Sequence, residues 1–231
     1  MRNIKAVATK QMLSFFKNAT FFGTPMFFLL IPFAILLLMA GADTNRHLVV
    51  SQFVVMYIGI SMIGNASAYI MEDRTTMNLR FMGMAGVKPY QYLIGTCIVL
   101  LATSLVILFL FGLMIQYSGN EMLNFLKISM LGSATSMLFG ITLGLTKIGP
   151  FVTPIGLLLG VGPIFAEANE TLATIFNFTY TMQITNVIRD GDMTGDLSHS
   201  LQIVLINMAV ILIAFIILNA KTGLDGEKMG A

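Results

Sequence analysis

The chain has few of the residues that cover a water-facing surface. Charged residues make up 10% of its 231 residues, hydrophobic residues make up 56%, and the mean hydropathy is +0.84. Soluble proteins carry about 25% charged residues. With so few charges, much of this chain must face lipid. The apolar segments use most of the length, which leaves no room for a soluble catalytic domain.

Several patterns that carry chemistry are missing as well. The single cysteine, Cys97, cannot form an internal disulfide. No ionisable residue lies near the middle of a long apolar run, where it would mark an ion or proton path. The sequence has no His-Glu-x-x-His zinc motif and no glycine-rich phosphate-binding loop ending in Lys-Ser/Thr. These absences argue against a proton-coupled transporter, a cation pump, an intramembrane protease, and ATP binding by that loop.

What the sequence does have is a series of long apolar runs. About 20 apolar residues cross the hydrocarbon core of a bilayer. Six runs reach or approach that length, and they predict an all-α polytopic membrane protein with its transmembrane domain at 21–219. The six predicted spans are 21–42, 49–71, 93–117, 123–146, 148–166 and 199–219. Runs four and five are separated only by Lys147 and the Gly149-Pro150 breaker.

Residues 1–20 precede the first run and are amphipathic at helical spacing. Val7, Met12 and Phe15 share one side of the helical wheel, whereas Lys10 and Lys17 share the other. This pattern is typical of a helix lying in the headgroup region with its basic face in water. A helix packed on the rest of the protein is the alternative.

The basic residues indicate the orientation of the chain, since they concentrate on the cytoplasmic side of a membrane. With the N-terminus inside, ten fall in cytoplasmic segments and three in outer segments. The cytoplasmic set is Arg2, Lys5, Lys10, Lys17, Arg74, Arg80, Lys88, Lys147, Lys221 and Lys228, and the outer set is Arg46, Lys127 and Arg189. The bias predicts that both termini are cytoplasmic, including a tail at 220–231.

The predicted cytoplasmic connection at 72–92 is too long for a simple turn. Acidic residues open it, apolar residues fill its middle, and Gly86 and Pro89 close it, which are start and stop signals of a short helix. Met77, Phe81 and Met82 suit a docking surface, because Met and Phe adapt to a partner groove. A helix lying against its own membrane domain is the equal alternative.

The outer connection at 167–198 is amphipathic, half apolar, and too polar to cross as a helix. A re-entrant segment, shielded by protein in the outer leaflet, fits this composition. Small, hydroxyl and amide residues inside the runs suit close helix packing and are less often a substrate path. The candidate path residues are Ser61, Asn65, Pro154 and Pro163.

The order of these parts resembles the permease subunit of type-2 ABC transporters. The loop carries loose matches to the family pattern, in an acidic residue after the second span, a Leu-Arg pair, a Gly-Val turn and a Leu-Ile-Gly entry to the third span. The matching residues are Glu72, Leu79-Arg80, Gly86-Val87 and Leu93-Ile94-Gly95. The resemblance covers essentially the whole length.

The resemblance implies that 72–92 is the coupling helix that docks on a separate ABC ATPase subunit, present in two copies. ATP and Mg²⁺ would bind that partner, with no cofactor bound directly by this chain, which would not itself be an enzyme. A second permease copy or a related permease would complete the path, lined by runs two and five. The expected coupling residues are Glu72, Asp73, Arg74, Met77, Leu79, Arg80, Phe81 and Met82.

The expected function is therefore an ATP-driven exporter in a bacterial plasma membrane. A path without charges suits an amphipathic or apolar cargo, such as a peptide, a drug or a lipid-like molecule. Nothing in the sequence indicates a nucleic-acid partner or a metal site. Two alternatives remain open, a membrane-integral enzyme acting on lipid and a non-transporting membrane scaffold. An enzyme would need clustered carboxylates or histidines, and the inner side offers only Glu72 and Asp73.

Overall fold

The computed structural model describes residues 2–38, 46–146, 151–166, 168–190 and 197–222, and in these ranges every regular element is helical. The elements are α1 (Arg2–Lys17), α2 (Ala19–Leu38), α3 (Arg46–Met56), the π-helix π1 (Tyr57–Met62), α4 (Ile63–Thr75), α5 (Asn78–Met84), α6 (Pro89–Ile115), α7 (Gly119–Gly144), α8 (Val152–Ala166), α9 (Glu170–Phe176), α10 (Tyr180–Asp190) and α11 (Ser198–Thr222).

Five helical stretches are long and apolar enough to cross a bilayer, so the prediction of a multi-pass helical membrane protein is confirmed. They are Phe21–Leu38, Arg46–Thr75, Pro89–Ile115, Gly119–Gly144 and Ser198–Leu218. The predicted fifth span contains α8, which has 15 residues. At 1.5 Å per residue α8 is about 22 Å long, shorter than the hydrocarbon core of about 30 Å.

Local sequence signals explain where the long helices begin and end. Pro89 opens α6 after Lys88, whose backbone N–H donates to Gln91 Oε1 at 3.0 Å. Ser118 and Glu121 form a capping box at the start of α7. Helix α2 continues through Pro25 and Pro32, as membrane helices tolerate.

Contacts at the two ends of the bundle show that the span Arg46–Thr75 and α7 run in the same direction, and that α6 runs opposite to both. At one end His47 Nδ1, at the start of α3, lies 3.3 Å from Tyr117 Oη in the α6–α7 turn. At the other end Arg74, in the last turn of α4, donates to the carbonyl oxygens of Gly144 and Leu145 after α7. We call these the Tyr117 end and the Asp73 end.

The core lies between the π1-containing span, α6 and α7. Its largest fully buried side chains include Tyr57, Tyr69, Phe111 and Phe125. Among the five long apolar stretches, those of α2 and α11 have the smallest share of buried residues and lie at the periphery. The predicted outer segment 167–198 contains α9 and α10, and α10 is buried against α3, α7 and α11.

Several sequence predictions fall outside the described residues. These are the Lys147 and Gly149-Pro150 hairpin, residues 39–42 of the first run, residues 191–196 of the outer connection, and the tail beyond residue 222.

Candidate functional site

The short helix α5 projects from the Asp73 end between two long apolar helices. Leu79 is buried and Met82 packs against the core, whereas Met77, Phe81 and Met84 lie on the opposite side, 58%, 60% and 68% exposed. Arg80 is exposed as well. One face of α5 therefore packs on the rest of the protein and the other is exposed, and docking of a partner on the exposed face stays a prediction.

Tight turns bound α5 on both sides. Met77 precedes it in the left-handed conformation (φ 55°), which is uncommon for a residue with a side chain, and Gly86 follows it with φ 77°. The Thr75 and Thr76 hydroxyls donate to Glu72 O at the end of α4. The direction in which α5 leaves the bundle is thus set by its turns.

A buried carboxylate lies at the base of this segment. Asp73 is 3% exposed, and its oxygens accept hydrogen bonds from side chains of four other positions on three other helices. Gln11 Nε2 donates to Oδ2 at 2.9 Å, Tyr92 Oη to Oδ2 at 2.9 Å, and Asn78 Nδ2 to Oδ1 at 3.1 Å. Lys10 Nζ completes the set as an ion pair with Oδ1. We call these five residues the Asp73 cluster.

The cluster satisfies its charge from within the protein. A carboxylate removed from water is costly unless it is paired and hydrogen-bonded. Here one cation and three neutral donors serve two oxygens, and the Lys10 side chain remains 39% exposed. Asp73 therefore connects α4 to other helices, and we call such a contact between helices a joint. Because the side chain is buried, it offers no surface to a partner.

Arg74, the next residue, makes a second joint. Its Nη1 donates to Gly144 O at 3.1 Å and to Leu145 O at 2.9 Å. These are carbonyls at the end of α7, where intrahelical donors run out and a cation is favoured by the helix dipole. Arg74 thus ties α4 to α7, while Asp73 ties α4 to α1, α5 and α6.

The eight predicted coupling residues fall into two groups in the structure. Glu72, Met77, Arg80 and Phe81 are exposed, whereas Met82 is half-buried and packs on the core. Asp73, Arg74 and Leu79 point into the protein, where they make the contacts described above. No local sequence signal marks Gln11 and Tyr92, because they pair with Asp73 across 62 and 19 residues of the chain.

One face of helix α1 packs on the Asp73 end. Val7, Gln11 and Phe15 are buried in the protein, and Val7 lies so close to α6 that a Cβ on Gly95 would be 2.7 Å from its Cγ1. Met12 and Phe16 are exposed on another face. Protein contact and an exposed apolar face thus occur on the same helix.

The candidate path residues are spread over different environments. Ser61 lies in π1, which packs on α8, and its buried Oγ has no hydrogen-bond partner within the described residues. Asn65 Nδ2 lies 3.5 Å from Phe21 O of α2. Pro163 is buried in α8 and Pro154 is exposed. A groove of about 470 Å³ next to this region is lined by Gly23, Phe27 and Ile60, among others.

The contact between π1 and α8 brings the glycine backbones of the two helices together, beside the Ile60 side chain. A Cβ on Gly59 would lie 2.5 Å from Gly160 N and 2.6 Å from Gly160 Cα, and one on Gly156 would lie 3.2 Å from Gly59 O. Glycines that admit such approach are common at membrane helix interfaces. A π-helix within an α-helix often marks a functional position.

Comparison of the chain with protein-family models, with curated proteins and with solved structures finds no match in any of the three.

Proposed function

We propose that this chain is the permease subunit of an ATP-driven exporter that works with a separate ATPase subunit. The observation that carries the proposal is α5: a short helix between two spans, packed on one face and exposing Phe81 and Met84 on the other, with Met77 exposed in the turn before it. Exposed methionine and phenylalanine side chains on a helix are suited to insertion into a partner groove.

Charge supports a location of α5 outside the hydrocarbon. Glu72, Arg80 and Lys88 are all exposed around the apolar face. Charged side chains are costly in the bilayer interior, so this arrangement suits a helix at the membrane surface that faces a soluble subunit. In this proposal the Asp73 end is cytoplasmic and both termini lie on that side.

The remaining parts of the proposal concern the bilayer. Helix α8 would be a sixth, short span, and α9 with α10 would form the re-entrant element before the last span. Two such permeases, alike or related, would enclose a path beside π1 and α8. The cargo would be amphipathic or apolar, since the described spans place no charged residue at their centres.

A lipid-modifying enzyme fits the same site less well. Of the two inner carboxylates that such an enzyme could use, Asp73 is taken up by four donors, which leaves only the exposed Glu72 of the pair. Across the ranges that the structure describes, no three His, Cys, Asp or Glu residues converge as metal ligands would.

The test is a purification of the tagged full chain from membranes of its native host, with the wild type and Phe81→Ala in parallel. We expect an ATP-hydrolysing subunit with the wild type and a loss of roughly 30-fold in affinity with Phe81→Ala, since an anchor side chain contributes about 2 kcal/mol.

Phe109→Ala is the matched control, because Phe109 is 45% exposed in the last third of α6, toward the Tyr117 end and away from α5. This variant should retain the partner. Absence of any ATPase from the wild-type complex, or equal retention by all three proteins, would contradict the proposal.

A further inference from the structure

Helix α1 contacts the segment 72–92 near both of its ends. Lys10 and Gln11 reach Asp73 at the beginning of the segment. Asn3, two turns earlier in α1, donates through Nδ2 to Gly86 O at 3.2 Å and to Gln91 Oε1 at 3.2 Å. Helix α1 therefore bridges the two turns from which α5 projects.

In the Asp73 cluster, each carboxylate oxygen accepts one donor from α1 and one from another helix. Oδ1 receives Lys10 and Asn78, and Oδ2 receives Gln11 and Tyr92. Oδ1 thus joins α1 to the first residue of α5, and Oδ2 joins α1 to the first turn of α6. A displacement of α5 relative to α1 would break hydrogen bonds to a buried charge, which are among the strong ones.

Packing gives α1 a rigid base for this contact. Val7 occupies the space opened by Gly95 of α6, and Tyr69 Oη of α4 donates to Gln11 O at 3.4 Å. Tyr69 in turn stacks on Phe21 of α2, with ring centroids 4.2 Å apart. The position of α1 is therefore fixed against α2, α4 and α6 together.

We propose that Asp73 is a positioning residue that holds α1, α5 and the start of α6 as one rigid body. A partner that displaces α5 would then displace α1 together with it, as well as the spans. The role of the partner rests on the proposed function, but the rigid connection is a property of this chain alone.

The test measures that connection with pairs of spin labels on the full chain in lipid nanodiscs, in a Cys97→Ala background. One label replaces Thr9, exposed on α1, and the other replaces Met84, exposed on α5. We expect one narrow distance distribution in the parent protein. Asp73→Asn keeps the side-chain volume but removes the charge and one acceptor, and it should broaden or split the distribution.

Two controls separate positioning from general loss of structure. Arg74→Gln alters the neighbouring joint to α7 and should leave the α1–α5 distribution narrow. A reference pair at Leu113 and Leu123, both exposed near the Tyr117 end, should be unchanged in Asp73→Asn. If Asp73→Asn does not yield folded protein, Asn3→Ala removes the outer contacts of the same bridge and should broaden the distribution to a smaller extent.

An unchanged narrow distribution in every folded variant would overturn the proposal, and so would a broad distribution in the parent. Broadening of the reference pair together with the α1–α5 pair would also overturn it, because Asp73 would then serve the fold as a whole. None of these measurements uses an ATPase or nucleotide. A failure to find an ATPase therefore bears on the permease proposal alone, and a rigid Asp73→Asn variant bears on the positioning role alone.

Discussion

The helix contacts at the Asp73 end and in the middle of the bundle are made by different chemical groups. At the Asp73 end, charged and hydrogen-bonding side chains from four helices meet at one buried carboxylate. Between π1 and α8, the backbones of Gly59, Gly156 and Gly160 come into contact, with the Ile60 side chain packed against Gly160. The first joint depends on specific donors, and the second depends on the lack of a Cβ.

This difference suits the two environments. At a membrane surface, water competes for polar groups, so a lasting polar joint must be buried and fully paired. Inside the hydrocarbon, apolar side chains gain nothing from leaving lipid for another helix, and close backbone contact supplies the packing energy instead. The polar joint resists displacement, whereas the smooth glycine contact is the better place for helices to shift.

The largest effect is expected from adding a methyl group to the glycine joint. Gly59→Ala would place a Cβ within 2.6 Å of Gly160 backbone atoms, which cannot rotate away. We expect a loss of about 1–3 kcal/mol or more in stability, measured as thermal unfolding in detergent. We also expect displacement of α8 from π1.

Gly64→Ala is the matched control in the same span, since nothing lies within 4 Å of a Cβ there. It should be neutral or stabilise by about 0.5–1 kcal/mol, because alanine restricts the unfolded chain. Equal destabilisation by the two substitutions would show that the glycine contact has no special role.

A smaller effect is expected from removing the partly exposed Lys10 ammonium group from the Asp73 cluster. Lys10→Met removes the cation but leaves three neutral donors on Asp73. Because the Lys10 side chain is 39% exposed, we expect a cost of about 1–2 kcal/mol that declines with added salt.

Lys17→Met serves as the comparison, because Lys17 is an exposed lysine on the same helix. It should leave the unfolding midpoint and its salt dependence close to those of the wild type. A Lys10→Met protein whose salt dependence matches the wild type would show that the ion pair adds nothing to the joint.

The long apolar elements followed from composition and spacing, but the joints between them did not. Pro89, Gly86 and the Ser118–Glu121 pair mark helix ends through local chemistry, which sequence shows directly. The π-helix has no such signal, since the stretch from Phe53 to Ile63 is apolar apart from Ser61 and contains no proline. Asp73 was assigned to the docking surface with Glu72, yet one residue along a helix turns the side chain by about 100°. That turn takes it from an exposed to a buried position.

The smallest effect concerns the Tyr117 end, where a third kind of joint sets an aromatic hydroxyl beside His47. Burial, with a contribution from Glu121, raises the pKa of Tyr117 from 10 to about 12. Below pH 10 the phenol is protonated in both states, so its stabilising contribution is complete. As the pH rises through 10 the unfolded chain ionises first, and that contribution is lost by about pH 12. Tyr117→Phe should therefore lose less stability over this interval than the wild type, measured as the unfolding midpoint against pH. Tyr90→Phe, at an exposed tyrosine of α6, should follow the wild type; identical slopes for all three would show that the Tyr117 hydroxyl is not a joint.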